Sequence, residues 1–213
     1  PTGVVALVGA NAGLAQAGGS AYVFTRSSGV WSQRTQLVAQ QASVEHGFGA
    51  AVSISDGVAV VGASSNTGGS AYLFAKADDG WTQVAVLKAN DTLPGDQFGA
   101  SVAISSATVI VGAPDGTRGA GSAYVFGEVQ GVWSEQAHLQ PRDRVRKFGT
   151  SIAIAGDLIV VGAPGDADTP GVVYTYMRTA KSPATGSATC QQLAGSVPCL
   201  PYCAQGTCDG GGI

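Results

Sequence analysis

The stretch Phe98–Pro114, which reads FGASVAISSATVIVGAP, is the most informative part of the chain because most of it recurs. Its opening Phe-Gly pair is found at a spacing of 50 residues, at Phe48, Phe98 and Phe148. Each pair is followed by a Val-Gly-Ala triplet, centred on Gly62, Gly112 or Gly162. Landmarks that return in a fixed order at a fixed spacing indicate a repeat architecture.

Two further landmarks divide the chain into units. A triplet that ends in Tyr comes next, at Tyr22, Tyr72, Tyr124 and Tyr174. A Trp with a Leu six residues later then follows, at Trp31, Trp81 and Trp133. The units span about residues 1–47, 48–97, 98–147 and 148–180. The first begins at its Val-Gly-Ala triplet, and the last stops after its Tyr.

Each complete unit contains four short apolar stretches separated by turn residues, a pattern typical of four β-strands. Three strands are expected in each of the two incomplete units. A repeat of about 50 residues with four meandering strands is typical of a β-propeller blade. With 32 Gly among 213 residues and only 12% charged residues, the composition excludes a disordered chain and a coiled coil. We therefore predict an all-β, partial propeller over residues 1–180.

The landmarks resemble those of the FG-GAP repeat, in which Phe-Gly is followed by Gly-Ala-Pro. The copies that begin at Phe98 and Phe148 match in full, whereas Asn11 and Ser64 replace the Pro in the first two copies. FG-GAP repeats build the propeller of integrin α subunits and occur in many secreted surface proteins. The resemblance covers about residues 1–177. It implies a propeller, usually of seven blades, and an extracellular recognition role.

Two features depart from that family. Many FG-GAP repeats carry a calcium loop with three Asp, but the equivalent loops 55–57, 105–107 and 155–157 offer at most one carboxylate each. Asp166 and Asp168 lie in a different loop, which we interpret as a solvated turn, so we expect no metal and no cofactor. Two incomplete units also leave unpaired strand edges. We expect a processed or partial piece of a larger propeller; the alternative is that other chains complete the ring or extend it into a fibre.

The Cys residues of the C-terminal region and one sequence motif indicate where the protein is located. Residues 181–189 are interpreted as a linker and residues 190–213 as a tail that holds all four Cys: Cys190, Cys199, Cys203 and Cys208. Their even number predicts two disulfides with three possible pairings, with zinc as the alternative. Asn90-Asp91-Thr92 is an N-glycosylation sequon. Together these features favour an extracellular or cell-surface protein.

Several classes of function are disfavoured. The net charge of -3 gives no electrostatic reason for a nucleic-acid partner, and no apolar run approaches the about 18 residues that cross a membrane. The two His, His46 and His138, have no equivalents in the other units and are interpreted as surface residues. No nucleophile elbow or phosphate loop is found. We expect no enzymatic activity.

Recognition is expected in the loops between units, because loops on a rigid scaffold commonly carry it. Loop 141–147 is the most basic, with Arg142, Arg144, Arg146 and Lys147. It is interpreted either as a solvated turn or as a docking patch for an acidic glycan or an acidic protein loop. The expected function is a recognition or structural module of an adhesion, matrix or surface-fibre protein with a protein or glycan partner. The alternatives are a lectin-like propeller and the propeller domain of a secreted hydrolase.

Overall fold

The computed structural model describes residues 4–11, 18–40, 47–64, 68–78, 80–142 and 144–178. These residues form four small sheets. The first contains β1 (Val4–Ala10), β2 (Ser20–Ser27) and β3 (Val30–Leu37). The second contains β4 (Phe48–Ser55), β5 (Val58–Ala63), β6 (Ser70–Ala77) and β7 (Gly80–Leu87). The third contains β8 (Ser101–Ser105), β9 (Thr108–Ala113), β10 (Ser122–Val129) and β11 (Val132–Leu139), with the short helix α1 (Gly116–Gly119) between β9 and β10. The fourth contains β12 (Ser151–Ala155), β13 (Leu158–Ala163) and β14 (Val172–Met177).

Every sheet is an antiparallel meander in which strands follow chain order. The all-β prediction, with three, four, four and three strands, is confirmed. The inner strands β1, β4, β8 and β12 lie next to one another, and so the four sheets are consistent with propeller-like blades. No helix in the described residues is long and apolar enough to cross a membrane. The predicted linker, the Cys-rich tail and His46 lie outside the described residues.

The Phe-Gly pairs join each sheet to the one before it. Phe98 forms a parallel bridge with Gly69, and its amide donates a hydrogen bond to the Gly68 carbonyl at 3.0 Å. The same bridge is made by Phe48 and Phe148 to the glycines of the preceding sheets. The strands of the third and fourth sheets therefore begin at Ser101 and Ser151, three residues after the Phe of each pair, because the Phe-Gly backbone pairs with a neighbouring sheet.

Three hydrophobic clusters fill the junctions between sheets. In each cluster, side chains of one sheet pack on side chains of the next sheet. We call the face of a sheet that contacts the next sheet its forward face, and the face that contacts the preceding sheet its rear face. At the second junction the Phe98 ring lies 5.4 Å from the Tyr124 ring and 6.1 Å from the Phe126 ring, measured between centroids. It packs in one cluster with Ala71 and Leu73 of the second sheet. The other two junctions repeat this arrangement around Phe48 and Phe148.

In the first three sheets, the Gly of the Val-Gly-Ala triplet lets its strand lie close to the Phe-Gly backbone of the next sheet. A Cβ on Gly62 would lie 2.0 Å from the carbonyl oxygen of Gly99 in the next sheet. Gly9 and Gly112 face the next sheet's Phe-Gly backbone in the same way. A side chain at these positions would push two backbones apart.

Candidate functional site

The loops that the sequence singles out lie together at one end of the sheets. The loop between the second and third strands of a sheet ends at Gly69 or Gly121, and these residues bridge to Phe98 and Phe148, where the loops between sheets end. At the second and third junctions, both kinds of loop therefore end at the same end of the sheets. We call it the loop end.

Loop 90–97, between the second and third sheets, is a compact turn at the loop end. The Leu93 amide donates to the Asp96 carboxylate at 2.8 Å, and the Asp96 amide donates back to the Leu93 carbonyl at 3.1 Å. The Thr92 hydroxyl donates to the Ala89 carbonyl at 3.2 Å. These bonds hold Asn90, the acceptor of the predicted sequon, in an exposed position.

The basic loop 141–147 is anchored at its C-terminal half. Val145 is buried in the cluster between the third and fourth sheets. The Arg146 guanidinium lies 3.3 Å from the Asp166 carboxylate, and Lys147 forms an ion pair with Asp115. Arg142 and Arg144 are exposed. All four cations of the predicted patch are thus exposed, and two of them, Arg146 and Lys147, also tie the loop to carboxylates of neighbouring loops.

Asp115 joins the starts of two successive sheets. Its carboxylate accepts a hydrogen bond from Gln97 Nε2 at 2.5 Å and contacts Lys147 Nζ. Gln97 and Lys147 each immediately precede a Phe-Gly pair, and both have a left-handed backbone, with φ of 58° and 61°. Gly47 occupies the equivalent position of the second sheet, with φ of 91°. Non-glycine side chains at this strained position bind Asp115, which partly offsets the cost of the conformation.

The acidic pair in loop 164–171 is a turn, in agreement with its interpretation from the sequence. The Asp166 carboxylate accepts hydrogen bonds from the Asp168 amide at 3.1 Å and from the Thr169 amide at 3.0 Å. The Thr169 hydroxyl also donates to it, and this bond most strongly holds the pKa of Asp166 below its ordinary value. No group of three or more metal-binding side chains is found among the described residues.

At the opposite end of the sheets, Ser hydroxyls connect neighbouring hairpins through loops 55–57, 105–107 and 155–157. Ser55 Oγ accepts a hydrogen bond from the Ser106 amide at 3.4 Å. One junction later, Ser105 Oγ accepts one from the Gly156 amide at 3.3 Å. These loops do not fit a calcium ion, because each supplies at most one carboxylate and a hydroxyl acceptor already links neighbouring hairpins.

A hydrogen-bonded Ser, His and Asp lie at the loop end of the third sheet. His138 Nδ1 lies 3.1 Å from the Asp91 carboxylate, and His138 Nε2 lies 3.0 Å from the Ser122 hydroxyl. The imidazole stacks on Tyr124, with ring centroids 4.3 Å apart. Burial lowers the pKa of His138, although Asp91 acts in the opposite direction. Burial, followed by hydrogen bonding to Asp91, raises the pKa of Tyr124, which stays protonated.

The Ser-His-Asp distances match those of a catalytic triad, but the position of Ser122 does not. Ser122 is 0% exposed, so its hydroxyl is closed to a substrate. In the first sheet, the equivalent Ser20 hydroxyl accepts a hydrogen bond at 2.7 Å from Gln36, which is equivalent to His138. The contact between Ser122 and His138 therefore fastens the outer strand to the third strand. His138 is partly buried and not the surface residue expected from the sequence.

Sequence comparison places the chain in a family. The FG-GAP repeat model matches residues 31–74, 81–126 and 133–176, which is more than half of the chain. The chain belongs to the FG-GAP repeat family, and the predicted resemblance is confirmed. Each matched segment begins at a Trp of an outer strand and ends at an aromatic residue of a third strand. The family's repeat is thus offset by one strand from the sheets of the structure.

Among solved structures, the chain is similar to the crystal structure of TolB from Acinetobacter baumannii. The two share 13% sequence identity and a TM-score of 0.47. The match covers 82% of this chain and 41% of the TolB chain, so this chain spans less than half of that protein's length. No curated protein matches the chain.

Proposed function

We propose that this chain is a recognition and structural module of an extracellular adhesion, matrix or surface-fibre protein, and that it binds its partner through the loop end. The basic loop supports the proposal. Val145, Arg146 and Lys147 hold this loop to the third and fourth sheets, and Arg142 and Arg144 are presented at the surface. A loop that is ordered before binding loses less entropy in the complex.

The chemistry of the exposed residues favours an acidic partner. Guanidinium groups bind carboxylate and sulfate groups with two parallel hydrogen bonds, which gives direction as well as charge attraction. The proposed partner is a sulfated or carboxylated glycan, and an acidic protein loop is the second candidate. An extracellular location is supported by the exposed sequon residue Asn90 at the same end of the sheets.

The test is binding to an array of sulfated, carboxylated and neutral glycans together with acidic peptides. In the double variant Arg142→Ser/Arg144→Ser, binding to acidic glycans should fall at least tenfold, and binding by the unmodified chain should weaken as salt is added. Arg146 is left unchanged because it pairs with Asp166. The control Arg26→Ser/Arg34→Ser removes the same charge from the first sheet and should keep binding.

Each outcome separates the candidate functions. Equal loss in both double variants, or no loss in either, contradicts recognition by the basic loop. Binding to neutral glycans that survives both double variants supports the lectin-like alternative.

A further inference from the structure

Three loops of the loop end meet at the side chain of Arg146. Its Nε lies 3.3 Å from Asp166 Oδ2, in the loop between β13 and β14. A Cβ on Gly119, at the end of α1, would lie 3.1 Å from Arg146 Nη1, so the guanidinium lies directly beside this glycine. The backbone is held as well, because the Gly165 amide donates a hydrogen bond to the Arg146 carbonyl at 3.3 Å. Arg146 therefore lies where its own loop meets the loop of α1 and the loop after β13.

The two oxygens of the Asp166 carboxylate have different partners. Oδ1 accepts all three hydrogen bonds of the turn, from the Asp168 amide, the Thr169 amide and the Thr169 hydroxyl. Oδ2 is the oxygen that lies next to Arg146 Nε. Because the turn fixes Oδ1, it also fixes the direction in which Oδ2 attracts the guanidinium. The position of the Arg146 side chain is therefore set by the turn as well as by charge.

The contact with Asp166 leaves part of the Arg146 guanidinium available to a ligand. A guanidinium presents five N–H donors in a rigid plane, so a carboxylate at Nε leaves donors on the η nitrogens. The Arg146 side chain is 53% exposed, and Asp166 is its only ion-pair partner among the described residues. An anion that approaches from solvent can therefore reach donors whose direction is already fixed.

Arg144 provides a comparison within the same loop. It is exposed like Arg146 and lies two positions earlier, but it forms no ion pair with any residue in the described ranges. Its side chain must be fixed when a ligand binds, which costs conformational entropy. Arg146 is held before binding, so the same contact with an anion costs less there.

We propose that Asp166 is a positioning residue for glycan binding, which orients Arg146 so that its guanidinium binds a sulfate or carboxylate group of the glycan with two parallel hydrogen bonds. Arg142 and Arg144 add positive charge around this contact. The inference rests on the proposed function, since it names the contact through which the basic loop binds an acidic glycan.

The variant Asp166→Asn separates orientation from charge. The Asn carbonyl accepts the three hydrogen bonds of the turn, while its NH2 group replaces Oδ2 and no longer attracts Arg146. The variant also makes the chain more positive, which by itself strengthens binding to an acidic glycan. We nevertheless expect the dissociation constants of a sulfated and a carboxylated tetrasaccharide to rise about fivefold or more, measured by isothermal titration calorimetry.

Two sets of controls hold the charge constant. Asp168→Asn makes the same change in charge in the same turn, and its side chain forms no ion pair with Arg146, so this variant should bind as tightly as the unmodified chain or more tightly. Arg146→Lys and Arg144→Lys both keep the charge and lose the two parallel hydrogen bonds. Arg146→Lys should weaken binding about fivefold or more, and Arg144→Lys less than about twofold.

A measurement without glycan tests the orientation itself. The NMR signal of the Arg146 Nε–H group is assigned by its loss in Arg146→Lys. Its exchange with water should be faster in Asp166→Asn than in the unmodified chain or in Asp168→Asn, because the carboxylate no longer holds this edge of the guanidinium. If Asp166→Asn changes the thermal unfolding profile, the comparison of the two Lys variants decides the question.

The outcomes distinguish failure of this inference from failure of the proposed function. An unmodified chain that binds neither tetrasaccharide and no acidic peptide contradicts both, whereas one that binds only acidic peptides overturns the inference and supports the second candidate partner. Glycan binding that is lost in Arg142→Ser/Arg144→Ser but is equal in Asp166→Asn and Asp168→Asn supports the proposed function and overturns the positioning role. Equal binding by Arg146→Lys and Arg144→Lys, or unchanged exchange of the Arg146 Nε–H group in Asp166→Asn, overturns that role as well.

Discussion

The Ser101 hydroxyl donates a hydrogen bond to the carbonyl oxygen of Gly149, 2.6 Å away, across the junction between the third and fourth sheets. Ser101 is buried there. Ser151 occupies the equivalent position of the fourth sheet and is exposed, with no following sheet in the described residues. The two serines therefore allow the contribution of a junction to be measured within one chain.

Ser101→Ala should lower the free energy of unfolding by about 1 kcal/mol, because the Gly149 carbonyl loses a buried donor. Ser151→Ala should change it by less than about 0.5 kcal/mol, as expected for an exposed position. Urea unfolding followed by tryptophan fluorescence measures both. Equal losses in the two variants would show that the bond between sheets contributes nothing specific.

Gly62→Ala should be more costly than Gly162→Ala, although both glycines occupy the same position in their triplets. The new Cβ at position 62 meets the Gly99 backbone oxygen at 2.0 Å, whereas at position 162 the nearest atom is the Ser151 hydroxyl at 2.2 Å. A backbone must shift in the first case and one side chain in the second. We expect a loss of about 2 kcal/mol or more for Gly62→Ala and less than about 1 kcal/mol for Gly162→Ala, measured by thermal unfolding. A reversed order would contradict close packing of the Gly62 backbone on the Gly99 backbone of the next sheet.

Asp115→Ala should loosen both loops that the carboxylate connects. It removes the acceptor of Gln97 and the ionic partner of Lys147, both at partly exposed positions, so the expected loss of stability is about 1 kcal/mol. Hydrogen exchange should become faster in loop 90–97 and loop 141–147. Asp168→Ala, at an exposed position of a neighbouring loop, should leave the exchange of both loops unchanged. Unaltered exchange in Asp115→Ala would remove the proposed link between the loops.

The stability of the chain should fall as the pH drops below the ordinary His value of 6.5, because His138 has a lowered pKa in the folded state. The unfolded chain then takes up a proton more readily than the folded chain, which favours unfolding. The His138→Gln variant, which copies the residue type of Gln36, keeps a bond to Ser122 and cannot titrate. Its urea midpoint should change less between about pH 7.5 and about pH 5.5 than that of the unmodified chain.

Burial, and then the charge of Asp91, raise the pKa of Glu135. This shift has the opposite effect on the stability of the chain. The folded state gains protons there, so this group alone would add stability as the pH falls. Glu135 is present in both the unmodified chain and the His138→Gln variant. The difference between their pH profiles is therefore the contribution of His138. Identical profiles would contradict a lowered pKa of His138, because they would mean that its pKa is the same in the folded and unfolded states.

The sequence predicts the strands well because their pattern depends on local periodicity. The pattern around Phe98, Gly112 and Tyr124 recurs in every complete unit, so each copy supports the strands predicted for the others. The start of β8 at Ser101 was not predictable in this way. The residues before it pair with the preceding sheet, and a pairing of that kind leaves no periodic signal.

The contacts of the loop end could not be predicted, because they join residues that occur once and lie far apart. Lys147 and Asp115 are 32 positions apart and belong to loops that differ between units. The sequence shows four cations in loop 141–147 but not that Arg146 and Lys147 pair with Asp166 and Asp115. For His138 a signal was available, since its alignment with Gln36 and that of Ser122 with Ser20 indicate a shared structural contact.

The offset of one strand between the family's repeat and the sheets affects how an array of such sheets lengthens by duplication. A duplicated segment equivalent to residues 81–126 brings one outer strand and the first three strands of another sheet. If such a segment is inserted into the array, its outer strand completes a three-stranded sheet, and its other three strands form the next sheet. Each duplication therefore adds one sheet to the array and leaves the number of incomplete sheets unchanged. An array that expands by such duplications thus has no more incomplete sheets at any step than its ancestor had.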